Sequence, residues 1–186
     1  GHPGGVDGCP GVPRGHPGAE PETPESLFRR IDDDLAWLVA AHGLRPDLVV
    51  VTGDLAEHGI RSELTRARDF LETLAEELRL PHDRVVVVPG EHDVNYKACR
   101  AYFDLREADE RRPVPPYWPK WGHFSESFER FYADVEGAMF PPDEPWTLFE
   151  LPELAVVVAG LNSTMAESHL ESDHHGWLGE QQLDWF

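Results

Sequence analysis

Two short valine runs, each ending in a polar turn that contains glycine, constrain this chain more than any other feature. They are Leu48-Val49-Val50-Val51-Thr52-Gly53-Asp54 and Val85-Val86-Val87-Val88-Pro89-Gly90-Glu91-His92-Asp93. Unbroken apolar runs of this length read as strands buried on both faces, as in parallel sheets covered by helices. Parallel strands need a crossover, and the intervening segment supplies one. Leu64, Ala67, Leu71, Leu74 and Leu78 recur at helical spacing, with Ser62 placed to cap the start and Pro81 just past the end. Such a crossover is almost always right-handed, so the two strands are expected to be parallel in one sheet. The fold class that follows is α/β. Both polar turns then fall at the carboxyl ends of the strands, where open α/β sheets collect their ligands.

The flanking segments extend this βαβ unit. Residues 1–24 hold seven Gly and six Pro without apolar periodicity and are expected to form a disordered N-terminal segment, leaving 25–186 as the folded domain. Thr23 can cap a helix with Pro24 at its first position, carrying Leu27, Ile31, Leu35 and Leu38 as its stripe and ending at Gly43. Beyond Asp93 the pattern predicts a helix over 98–112, a Pro/aromatic loop over 113–119 and a second helix carrying Phe124, Phe128, Phe131, Tyr132 and Val135. Two strands around Pro152-Glu153 follow. A last helix begins near Gly179, with Leu183, Trp185 and Phe186 as its apolar side. It stops after about two turns, which reads as an unfinished domain.

Composition sets outer limits. With 16 basic and 35 acidic residues among 186, the formal net charge is −19, and 40% of the residues are hydrophobic, enough to bury a core. The negative field repels polyanions, so long nucleic acid is a disfavoured partner. A small phosphorylated ligand is compatible with that field only if metal ions or local dipoles reverse it at one site. No run approaches the ~20 apolar residues of a bilayer span, so no membrane partner is expected. The first residues lack the basic and apolar regions of a signal peptide. Cys9 and Cys99 are too few for a disulfide framework, and a reducing cytoplasmic location is the expectation.

The residues with chemical potential cluster on the two turns. Asp54 follows a strand and a glycine, so its carboxylate can project into the crevice and offer oxygen to a divalent cation. Alone it reads as readily as a helix or turn cap. Glu91, His92 and Asp93 supply a carboxylate, an imidazole and a second carboxylate able to orient that imidazole, the parts of a metal-assisted hydrolase. As an isolated triplet they are an ordinary solvated turn, but two such turns on one βαβ unit converge. Elsewhere, Asp173-His174-His175 invites a metal reading, yet no apolar strand run precedes it, and a loop bordering the cleft is the better account. Cys9 with His2 and His16 lies among glycines and prolines, Asp32-Asp33-Asp34 falls on a solvated helix face, and Cys99 is expected to pack on a helix. A phosphate loop, a nucleophile elbow and a His-Glu-x-x-His helix are all missing.

The run from Pro46 to Glu57, together with Val88-Pro89-Gly90-Glu91-His92-Asp93-Val94-Asn95, closely resembles the second and third signature blocks of the calcineurin-like metallophosphoesterases. Leu161-Asn162-Ser163-Thr164 after a strand is similar as well. The resemblance implies a partial αββα sandwich, a phosphoester substrate and two divalent metal ions (Mn, Fe, Zn or Mg) that activate water for in-line attack. It implies Asp54 as metal bridge, Glu91 at a ligand position where the family has asparagine, His92 as the catalytic imidazole serving the leaving oxygen, and Asp93 as its orienting partner. The family's first block, Asp-any-His, does not occur in residues 1–24, where Asp7 or His16 would be arbitrary substitutes, and its later histidine ligands are not found either.

Two readings follow. One is a metal-dependent phosphoester hydrolase in truncated form, with little or no turnover by this chain alone. The alternative is a degenerate, non-catalytic module of the same fold, used for binding or regulation or fused to other domains. Nucleotides, nucleic acids, phosphoproteins and phospholipids are all substrates within the resembled family, so the substrate class is left open. Both readings require the two turns to meet, bringing Asp54 within reach of a shared cation with Glu91 and His92.

Overall fold

A computed structural model describes residues 23–186, so all but the last two positions of the Gly/Pro-rich segment, with Asp7, Cys9 and His16, lie outside the described residues. Helix α1 spans Pro24–His42. Thr23 caps it reciprocally with Ser26, and Gly43 ends it in the left-handed conformation with φ 66°, donating its N–H to the Leu38 and Val39 carbonyls. The α1 stripe is only partly covered: Ile31, Leu35 and Leu38 are half-buried and Leu27 is exposed.

Strand β1 (Val49–Val51) and strand β2 (Val85–Val87) pair in parallel with Val50 opposite Val86, and helix α2 (Arg61–Leu78) makes the crossover between them. All three β2 valines are buried, but Val50 is 49% exposed, so β1 is not covered on both faces as its apolar run predicts. Ser62 is not the cap of α2. The helix starts two residues earlier, after Ile60, and Glu63 turns back to accept the N–H groups of His58 at 2.9 Å and Glu57 at 3.3 Å.

Helix α3 (Tyr96–Ala108) begins two residues before the predicted start, because the Asn95 side chain accepts the Ala98 N–H at 2.9 Å and caps it there. Helix α4 (Gly122–Phe131) packs against α2. Phe124, Phe128 and Phe131 close the core over Leu64, Leu71 and the β2 valines, and the Tyr132 hydroxyl donates to the Val85 carbonyl. Strands β3 (Thr147–Leu151) and β4 (Val156–Gly160) form an antiparallel hairpin with Phe149 opposite Val158, and β4 lies against β2. The architecture is a partial α/β fold of two small sheets and five helices among the described residues.

The last helix, α5 (Glu180–Trp185), reverses its predicted polarity. Leu183, Trp185 and Phe186 are 42–56% exposed, whereas Gln182 is fully buried. Its amide spans two elements: the oxygen accepts the Asn162 N–H at 2.6 Å, and the nitrogen donates to the Asn162 carbonyl at 3.0 Å and the Leu178 carbonyl at 2.8 Å. A buried amide satisfied on both ends specifies one docking position, which an apolar side chain would not.

Candidate active site

The turns after β1 and β2 meet as the crossover requires. Gly53 adopts φ 103°, and a side chain there would lie 2.4 Å from the Gly90 nitrogen, so only glycine allows this approach. Asp54 follows at φ 57°, a left-handed conformation that is costly for a residue with a side chain and is held by its surroundings. The Asp54 Oδ1 atom accepts the backbone N–H of His92 at 3.1 Å, a direct bond between the two turns. Asp54, Glu91 and His92 are all exposed at this rim, while Asp93 is fully buried.

Burial changes the role expected for Asp93. Its Oδ1 accepts the Ala56 N–H and its Oδ2 the Gly90 N–H, each at 2.9 Å, so the carboxylate ties one turn to the other. Burial pushes this carboxyl up to about 6 against the opposing pull of those N–H groups. The imidazole of His92 has a different orienting partner: its Nδ1 lies 3.2 Å from the Glu57 carbonyl oxygen. A carbonyl only accepts, so Nδ1 carries the hydrogen. That bond is the largest cause raising the His92 pKa; partial burial opposes it, and the charges of Asp54, Glu91 and Asp93 add to it. Asp93 therefore acts on the imidazole as a nearby charge, and the Glu57 carbonyl sets its orientation.

Glu91 is drawn toward a part of the chain that sequence reasoning placed only at the cleft border. Its Oε1 accepts from the Tyr96 hydroxyl at 3.3 Å and lies 3.4 Å from the His174 Nδ1, and the His174 ring stacks on Tyr96 with centroids 4.8 Å apart. Glu167, buried to 4% exposure, completes the group: one donor atom from each of Glu91, Glu167 and His174 lies within 4.8 Å of the others. The Asp173-His174-His175 run divides. Asp173 accepts from the Ser168 and Ser172 hydroxyls, His175 approaches the Ser172 carbonyl, and only His174 reaches the rim.

Lys120 holds the loop that delivers Glu167. Its Nζ, fully buried, donates to the carbonyls of Thr164 (2.6 Å), Met165 (3.1 Å) and Glu167 (2.6 Å), and sits over the Trp121 ring. The loop is further fixed by Asn162, whose Oδ1 accepts from the Thr164 N–H at 2.9 Å. Glu167 carries no motif in the sequence. The only signal for Lys120 was its place between Pro119 and Trp121, which marks an apolar setting unusual for lysine.

A second acidic and imidazole group, Glu57, His58 and Glu63, lies at the start of α2. The Glu63 carboxyl is lowered: partial burial raises it, but the N–H groups and imidazole of His58 and the N–H of Glu57 outweigh that. Its oxygens are thus engaged by the turn that precedes the helix. Asp54 belongs to neither group. As an oxygen ligand it suits a hard or borderline divalent cation, as do Glu91 and Glu167, while His174 adds nitrogen. The donor types at the rim fit divalent metal.

Fold and rim together describe an α/β protein that gathers carboxylates and imidazoles at the carboxyl ends of a parallel strand pair. The family model for calcineurin-like phosphoesterases matches residues 21–183, and the chain belongs to that family. Comparison with curated proteins found no match, and comparison with solved structures found none. Membership makes this a metallophosphoesterase-type domain, with a phosphoester as substrate class and a general dependence on metal. Among the described residues, no helix is long and apolar enough to cross a membrane.

Proposed function

We propose that this chain catalyses metal-dependent phosphoester hydrolysis, with Asp54 holding metal and His92 acting as general acid toward the leaving oxygen. The observation that carries the reading is the joined pair of turns: the residue that bears the exposed imidazole of raised pKa donates its backbone N–H to the Asp54 carboxylate. A divalent cation held at Asp54 would neutralise phosphoryl oxygens and acidify a bound water. With Nδ1–H committed to the Glu57 carbonyl, His92 presents Nε2 as the atom that moves a proton. In the metal-free chain the Glu57 carbonyl first, and the charges of Asp54, Glu91 and Asp93 after it, raise the pKa of this ring and favour the form that can donate to an alkoxide or phenoxide.

The test is hydrolysis of bis(p-nitrophenyl) phosphate with Mn²⁺. We expect at most slow turnover by this chain, which Asp54→Asn abolishes and His92→Gln lowers by about 100-fold. The wild-type rate should fall at high pH, where the acid form of His92 is lost. His92→Gln should remove that limb. Turnover unaltered by Asp54→Asn would refute the assignment. Metal binding without any turnover would favour the non-catalytic reading, for which the glutamate in place of the family's asparagine is the supporting observation.

A further inference from the structure

The group formed by Glu91, Glu167 and His174 presents more acceptors than donors. Tyr96 lies 3.3 Å from Glu91 Oε1 and 3.4 Å from Glu167 Oε2, and its one hydroxyl hydrogen can serve only one of them. The His174 Nε2 lies 2.9 Å from the Ser168 carbonyl, which accepts only, so Nε2 bears the hydrogen. In the neutral ring Nδ1 then carries a lone pair, and it lies 3.4 Å from Glu91 Oε1. Two carboxylates and an imidazole lone pair therefore face one another with a single hydroxyl hydrogen among them. Such a group is relieved if the ring takes a second proton, if the buried Glu167 carboxyl takes one, or if a cation sits between.

We propose that Glu91, Glu167 and His174 bind one borderline divalent cation of the Zn²⁺ or Mn²⁺ type, at a site separate from the Asp54 carboxylate. Two donors ~2.1 Å from one ion at a tetrahedral angle stand ~3.4 Å apart, as Glu91 Oε1 and His174 Nδ1 do. The hydrogen bond from His174 Nε2 to a backbone carbonyl is the outer contact that metal-ligating histidines use to set tautomer and basicity. Glu167 is held in place through its own carbonyl by Lys120, and the Tyr96 ring fixes the His174 plane. Preorganisation of this kind lowers the entropic cost of capturing an ion. Glu167 and His174 lie outside the two sequence blocks that carry the family likeness. The site does not depend on the hydrolytic reading.

The experiment is Zn²⁺ titration of the EDTA-stripped, desalted chain by calorimetry at pH 7, with ¹⁵N NMR of the imidazoles. We expect a binding step that shifts the His174 Nδ1 resonance, that weakens at least about tenfold in His174→Ala and in Glu167→Gln, and that persists in Asp54→Asn. Circular dichroism checks that each variant folds. His174 is partly exposed, so His174→Ala keeps the test decisive even if buried Glu167→Gln does not fold. Equal affinity in wild type and His174→Ala overturns the proposal. So does a His174 Nδ1 that is protonated and unmoved by Zn²⁺, the signature of a plain imidazolium–glutamate ion pair. Because the readout is binding, absence of phosphatase activity leaves this result standing, and absence of this binding step leaves the Asp54 assay standing.

Discussion

Asp93→Ala is expected to destabilise the chain by about 3 kcal/mol in urea unfolding at pH 7, the largest effect of any substitution at the rim. The Asp93 carboxylate accepts the Ala56 and Gly90 N–H groups, one on each turn, and it is fully buried. Truncation removes the acceptor from both half-buried N–H groups, at ~1–3 kcal/mol each, partly offset because a buried charge is removed. The wild type should show a linked pH effect. Burial holds this carboxyl at about 6, above its ordinary 3.8, so as the pH falls the folded chain takes up the proton first. In EDTA, stability should rise by up to about 3 kcal/mol between pH 7 and pH 4, and this gain should be absent in Asp93→Ala. A wild type that loses stability over that interval, while the variant behaves identically, would contradict the account.

Lys120→Met should cost a similar amount, about 3 kcal/mol, with a different local consequence. Met matches the length of the lysine stem and avoids desolvating a charge, yet it leaves the carbonyls of Thr164, Met165 and Glu167 without their donor. Burial pushes the Lys120 ammonium down to about 7, and three acceptors demand three hydrogens, which only the charged form carries. The loss of these bonds outweighs the relief from desolvation because all three carbonyls lie on one loop that has no strand or helix to hold it. Amide exchange should therefore quicken at residues 164–168 before it changes in β2. Uniform exchange across the chain would show that Lys120 supports the whole core and not this loop.

The parallel pair was legible because its physics is local and repetitive: unbroken valine runs, a helical stripe between them, and glycines at the turns. The meeting of Asp54 with the His92 turn followed from that topology alone. Cap and strand limits were less secure where a side chain had two uses. Ser62 has the right chemistry for a cap, but the helix already starts after Ile60, and Glu63 turns back to the N–H groups of Glu57 and His58 in the preceding turn. Val50 belongs to an apolar run yet is half exposed, since a run of three cannot report which of its faces finds cover.

Residue types and spacing by themselves determined the α/β class, the crossover, and the gathering of Asp54, Glu91 and His92 at one rim. Only tertiary structure decided what each group does there. Asp93 became a tie between turns because folding buried it among backbone donors. The Glu57 carbonyl became the partner of His92 because the chain returns past it. Glu167, Lys120 and His174 entered the picture through contacts spanning 44 to 83 positions of sequence, from Lys120 with Thr164 to Glu91 with His174. Short-range patterns encode periodicity and turns, whereas long-range polar contacts depend on packing that no local window contains.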